Sequence, residues 1–205
     1  MRFLAGLLLK LGGPNAAAPY FYLMRFSDIP PLLSAGSWEC GYSLERVPGV
    51  LEEWKAESGL QLVPDFQRGR VWNPAQQSAF MEYLLRGGRS GLVIFFNAPS
   101  WHTTATTAYN EFVCVDGLQR LTAIERFLAG EIPAFGQRHG EFGDSIRCAP
   151  GGLSLRFNVN SLQTREQVLT WYLQINDGGT PHTEAEVSRV KALLASAQNG
   201  RAEKK

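Results

Sequence analysis

Val113-Cys114-Val115-Asp116-Gly117-Leu118-Gln119-Arg120-Leu121-Thr122 is the stretch whose reading decides the fold. Glu111 to Val115 is a short apolar run, too brief for a buried helix, and predicts a buried strand. Asp116-Gly117 then turns the chain. From Gln119 to Ala129, Leu121, Ile124 and Leu128 recur at helical spacing, and Gly130 closes that helix. A buried strand that feeds a helix through a tight turn aims the helix's first N–H groups at whatever lies above the strand's end, and such a place favours phosphate.

The same alternation extends outward. Leu92 to Phe96 reads as a second buried strand, followed by a polar loop from Ala98 to Tyr109. Upstream, Asn73-Pro74-Ala75-Gln76 supplies an N-cap, a proline at N1 and a glutamine at N3. It predicts a helix to about Arg86 with Phe80, Tyr83 and Leu84 on one face, stopped by Gly87-Gly88. Val50 to Ser58 reads as a short amphipathic helix ended by Gly59, and Leu60 to Arg70 as a short strand or extended segment. Residues 27–48 are rich in Pro, Gly and Ser and read as loop with short extended pieces. Downstream come a loop over 131–152 with five glycines and a strand over Leu153 to Val159. Two helices follow, opened by capping boxes at Thr164–Gln167 and Thr183–Glu186. Interleaved strands and helices predict a mixed α+β class, a small sheet flanked by helices.

Composition bounds the function. The chain has 205 residues, enough for about one domain with appendages. Hydrophobic residues at 44% exclude wholesale disorder. A net charge of +1 excludes a protein that coats nucleic acid by bulk charge, but leaves room for a local basic groove. Cys40, Cys114 and Cys148 are odd in number and widely spaced, so they build neither a disulfide framework nor a CxxC metal pair. A cytoplasmic setting is expected, and no apolar run is long enough for a membrane helix. Residues 1–23 differ from the rest. Met24 opens a stretch that reads like a natural start, so 1–23 is expected to be an extension, with a secretion signal or an ordered element as the other readings. Residues 24–197 are expected to form one domain and 198–205 a flexible tail.

Several residues could carry chemistry. Arg120, in the first helical turn, could grip a phosphate with its guanidinium, and Gln119 could donate an amide. Asp116 could hold Mg²⁺, orient a water or act as general base. Equally, Asp116 could cap the helix while Arg120 faces solvent. In Pro64-Asp65-Phe66-Gln67-Arg68-Gly69-Arg70-Val71-Trp72, Gln67-Arg68 echoes Gln119-Arg120. That segment could instead hold an Asp65–Arg68 pair bracing the next helix. Gly87-Gly88-Arg89-Ser90-Gly91 is a weaker candidate that reads mostly as a turn. His182, in the bend over Asn176 to Thr183, could act as a base or serve a structural role. Arg68, Arg70, Arg86 and Arg89 could meet DNA or simply form a solvated face. No P-loop, HExxH or GxSxG motif is present.

PDFQRGRVW, then about fifty residues, then VDGLQRLTAIERFLAGEIPAF, then NDGGTPHTEAE resembles the N-terminal domain of the GmrSD-type restriction endonucleases, closest to stand-alone phage- or prophage-type members. The resemblance spans about Met24 to Ala197. It implies a ParB/sulfiredoxin-like fold and the binding and hydrolysis of a nucleoside triphosphate (GTP, ATP or UTP) with Mg²⁺. The family's DGQQR-like motif falls here on Asp116, Gly117, Gln119 and Arg120, with Asp116 toward the metal. Asp116, Gln119 and Arg120 take the catalytic roles. Gln67, Arg68, Gly117, Gln119, Arg120 and Thr122 take the nucleotide-binding ones. Leu118 stands where the family commonly has a polar residue. The relatives' HNH-type nuclease domain is not in this sequence, so DNA cleavage is expected to need a separate nuclease or restriction subunit. Two functions follow as expectations: an Mg²⁺-dependent NTPase of a modification-dependent restriction system, or a non-catalytic module that binds nucleotide or DNA.

Overall fold

The computed structural model describes residues 26–29, 31–33, 37–67, 69–101, 108–150, 153–177 and 184–202. The chain divides into two compact units, Met1–Pro31 and Leu32–Lys205. The described part of the first is a 3-10 turn, Phe26–Asp28, with Phe26 and Ile29 exposed.

The second unit has an α+β fold. Its elements run β1 (Ser37–Ser43), α1 (Val47–Ser58), α2 (Pro74–Leu85), β2 (Val93–Asn97), β3 (Val113–Asp116), α3 (Leu118–Leu128), β4 (Ser154–Asn160), α4 (Arg165–Asp177) and α5 (Glu184–Ala202). The four strands form one mixed sheet in the order β1-β4-β2-β3. β1 and β4 are antiparallel, as are β2 and β3, while β2 and β4 run parallel. Strand alternation sorts the side chains onto two faces. Ile94, Phe96, Cys114, Leu155, Phe157 and Val159 join the core built with α1, α2 and α3. Phe95, Val113 and Val115 face the other way, into a second core with α4 and α5.

Trp54 of α1 centres the first core. It meets Phe96 at 5.3 Å, Trp101 and Phe112 at 5.2 Å each, and Phe157 at 5.4 Å between ring centroids. Rings at these separations and tilts gain about 0.5–1.5 kcal/mol per pair beyond their burial.

The capping boxes over Asn73–Gln76 and Thr164–Gln167 form as their spacing predicts. Asn73 Oδ1 accepts from Gln76 N at 2.9 Å and Gln76 Oε1 from Asn73 N at 3.0 Å. Thr164 Oγ1 and Gln167 Oε1 make the equivalent exchange. The box at Thr183 lies outside the described residues. Three expectations change. Residues 27–48 contain a seven-residue edge strand, β1, and α1 begins at Val47 with Pro48 in its first turn. Leu60 to Arg70 makes a single parallel bridge, Gln61 to Val113, and then turns. The buried face of α2 is Gln77, Met81 and Leu84. Tyr83 faces outward, where its hydroxyl accepts from Ser90 N at 2.9 Å.

Among the described residues no helix is long and apolar enough to cross a membrane.

Candidate functional site

β3 is an edge strand, and the segment from Gln61 to Trp72 runs along its open side. Gln61 N donates to Phe112 O at 2.8 Å, and Cys114 N donates to Gln61 O at 2.9 Å. Phe66 then plunges into the second core, fully buried and edge-on to Tyr172 at 5.2 Å. Two arginines clamp this stretch from the far helices. Arg165 reaches both oxygens of Asp65, at 2.7 and 2.6 Å, and Arg189 Nη2 donates to Phe66 O at 3.0 Å. Among the described residues the partner of Asp65 is Arg165, one hundred positions downstream.

The glutamines of the two repeated dipeptides do meet this one segment. Gln67, 8% exposed, donates Nε2 to Cys114 O at 2.6 Å. Gln119 closes the other end: its Nε2 donates to Gly69 O at 2.8 Å, while Oε1 accepts from Val71 N at 2.9 Å and Trp72 N at 3.1 Å. One carboxamide thus satisfies three backbone groups of a segment that has no ladder of its own.

The arginines behave differently. Arg120 turns away from this segment toward β2. Its Nη1 donates to Gly91 O and Val93 O, both at 2.8 Å, and its Nη2 to Asp116 Oδ2. The Arg120 side chain is 16% exposed and that of Asp116 39%. So Asp116 does not cap α3 and Arg120 does not face solvent; the two form an ion pair one turn apart. Arg68 lies outside the described residues, as do His102 and His182.

Gly117 is the N-cap of α3, with φ 112° and ψ 4°. A Cβ there would sit 2.5 Å from Ile94 Cδ1 and 2.9 Å from Ile94 Cγ2. The position demands glycine twice, for its backbone angle and for its lack of a side chain. Glycine has no cap to offer. Among the described residues nothing accepts from the N–H groups of Leu118, Gln119 and Arg120. Gly117 and Leu118 are themselves buried. A buried helix start with bare donors is the arrangement that holds anions. Thr122, one turn further on, is 2% exposed, and among the described residues its Oγ1 has no hydrogen-bond partner.

One further residue belongs here that the dipeptide pattern does not reveal. Glu125 follows Thr122 on the same helix, and burial lifts its carboxyl above the usual range. Lys55 of α1 and Arg70 partly oppose that lift, and Glu52 adds to it. The segment that Gln119 holds therefore brings the charge of Arg70 to bear on α3. The signal in sequence was the i, i+3, i+6 spacing of Gln119, Thr122 and Glu125. Cys114, behind the site, is fully buried, which pushes its thiol upward and leaves it inert.

Residues 51–150 match the family model described as GmrSD restriction endonuclease, N-terminal domain. That stretch belongs to the GmrSD N-terminal domain family. It takes in the edge segment, both glutamine–arginine dipeptides and all of α3, so the elements of the GmrSD-type domain that meet around Gly117 fall within the matched residues. Comparison with curated proteins and with solved structures returned no match.

Asp116 is the acid nearest to the bare turn in sequence, and one of its oxygens is already bonded to Arg120. Among the described residues no group of three or more His, Cys, Asp or Glu side chains could hold a metal ion. A Mg²⁺ ion held chiefly by a nucleotide's phosphates needs only one or two carboxylates, and Asp116 keeps one oxygen free of Arg120 for that role.

Proposed function

We propose that this chain is a nucleoside-triphosphate-binding, ParB/sulfiredoxin-like domain that serves a modification-dependent restriction system. The observation that carries the reading is the bare, buried first turn of α3. Beside it lies a segment bearing Arg70, and Gln67 and Gln119 fasten that segment in place. The phosphates would take the N–H groups of Leu118, Gln119 and Arg120, with Arg68 and Arg70 supplying positive charge from the segment. Arg120 would act through position. By holding the carbonyls of Gly91 and Val93 and the carboxylate of Asp116, it fixes how the strand end meets the helix. Turnover would fall to Asp116, whose remaining oxygen can orient a water and accept its proton. Binding without turnover is the second reading. The closed Asp116–Arg120 pair and the apolar Leu118 favour it.

Gln119→Glu tests the site while keeping two of the three backbone bonds. The carboxylate still accepts from Val71 and Trp72 and suits a helix N-terminus, but it gives up the bond to Gly69 O and opposes a triphosphate. Calorimetric titration with ATP, GTP and UTP is expected to show at least about a tenfold loss of affinity in this variant, about 1.4 kcal/mol. Equal affinity in both proteins overturns the phosphate assignment. Phosphate release measured on the wild type, with and without DNA, then separates an NTPase from a binding module.

A further inference from the structure

At the other end of α3, the loop over 131–150 folds back on Leu85 and Phe127 and encloses a hollow of about 270 Å³. Phe127 lies ten residues beyond Gly117, so about 15 Å of helix separates this hollow from the bare first turn. Its floor is aromatic: Phe127 is 1% exposed, and Phe142 packs edge-on against it at 6.2 Å. Its rim is polar, with His139, Asp144 and Ser145. Among the described residues Asp144 has no hydrogen-bond partner. An apolar floor with a few convergent polar groups is the usual make-up of a small-ligand site.

The rim carries a second, independent observation. Ala134-Phe135-Gly136-Gln137 is a tight turn in which Ala134 N donates to Gln137 O at 2.8 Å and Gln137 N to Ala134 O at 3.0 Å. Both central residues have positive φ, 51° for Phe135 and 76° for Gly136. A two-residue turn of this kind favours Asn-Gly, because a bulky side chain is strained there. Phe135 is the one non-glycine residue with positive φ among those described, and its ring is 44% exposed at the mouth of the hollow. The fold braces this unfavourable choice. Glu82 Oε1 accepts from Phe135 N at 2.9 Å, and the Arg86 guanidinium sits over the ring at 5.1 Å. Strain held in place by dedicated contacts, for the sake of an exposed aromatic ring, points to a task for that ring.

We propose that this hollow binds a nucleobase-class heterocycle carrying an exocyclic amino group. The planar ring packs among Phe127, Phe135 and Phe142, and Asp144 accepts from the amino edge. Carboxylates select donor edges of bases in this way, and aromatic side chains stack on their faces. The site is distinct from the proposed phosphate site and does not depend on it.

The thiols provide the probe. Cys114 is sealed, and Cys148 is exposed on the rim of the hollow. In the full chain carrying Cys40→Ser, the rate of maleimide alkylation therefore reports on Cys148. Adenosine, cytidine or guanosine at ten times its Kd is expected to slow that rate about tenfold by mass action. Uridine, which lacks the amino group, and toluene, which has only a ring, should leave it unchanged. Phe135→Asn should abolish protection while the Tm stays level or rises, because asparagine suits the turn. Asp144→Asn, on the exposed rim, should abolish protection with the Tm unchanged, and it decides the matter if Phe135→Asn does not fold. The proposal is overturned if no aminated nucleoside slows alkylation, if toluene or uridine slows it equally, or if Asp144→Asn remains protected. Nucleosides carry no phosphate, so Gln119→Glu should leave Cys148 protection intact whatever it does to triphosphate binding.

Discussion

Arg120 shows how one side chain can read as a ligand in sequence and serve as a brace in the fold. Three of its N–H groups are spent on two carbonyls and one carboxylate, and among the described residues no other side chain donates to these partners. Removing it leaves the carbonyls of Gly91 and Val93 short of a donor and Asp116 short of a counter-charge. Arg120→Ala should therefore cost about 2–3 kcal/mol of stability, read from urea unfolding. An unchanged midpoint would return Arg120 to the list of free ligands. Glu125 makes a prediction about pH. Its folded pKa is raised by burial above its usual value of 4.5. The protonated form is thus the better tolerated one, and the group's contribution to stability is full below the unfolded pKa and lost as pH rises through the folded one. Glu125→Gln should raise the Tm at pH 7, and the gain should shrink as the pH falls toward 4.5. A gain that does not vary with pH would mean that burial of the charge is not its cause. Neither role was legible in the sequence. The spacing of Asp116 and Arg120 allowed an ion pair, but the carbonyls that complete it come from a turn some thirty positions upstream.

At the scale of the element, local signals are legible in the sequence and long-range ones are not. The strand, turn and helix around Gly117 needed no distant partner to be recognised, because apolar runs, Asp-Gly and helical spacing all lie within about twenty residues. The caps of α2 and α4 were equally local. β1 is not legible in the sequence, although Trp38, Cys40 and Tyr42 alternate with Glu39 and Gly41, because its partner among the described strands, β4, lies more than a hundred positions away. Leu60 to Arg70 carries the residues of a short strand or extended segment, but ladder pairing is not its main support. It follows a strand edge, yet glutamine side chains hold it more than backbone pairing does. Gln119→Ala should therefore loosen this segment alone. Amide exchange at Val71 and Trp72 should quicken about tenfold for each 1.4 kcal/mol of lost hydrogen bonding, with the β4 amides unaffected. Uniform quickening across the sheet would show that the carboxamide supports the whole fold.

For the molecule as a whole, the α+β class was legible and the topology was not. Alternating strands and helices suggest neighbours in sequence, but the sheet order β1-β4-β2-β3 places the last strand between the first and the second. Two opposite faces of that sheet then need separate helical covers, α1 to α3 on one and α4 with α5 on the other. The matched residues 51–150 omit β1, β4 and both helices of the second cover, so the candidate phosphate site rests on flanking parts that the family signature does not describe.

The central position of β4 has a consequence for biosynthesis. Ser37–Ser43 leaves the ribosome long before Ser154–Asn160 exists, and at about 5–20 residues per second the wait is on the order of ten seconds. Through that interval the nascent chain carries a tryptophan, a tyrosine and a cysteine on a strand with no mate, and the helical cover around Trp54 can assemble only against half a platform. Whatever shelters emerging polypeptides in the cell has its task set by this late arrival.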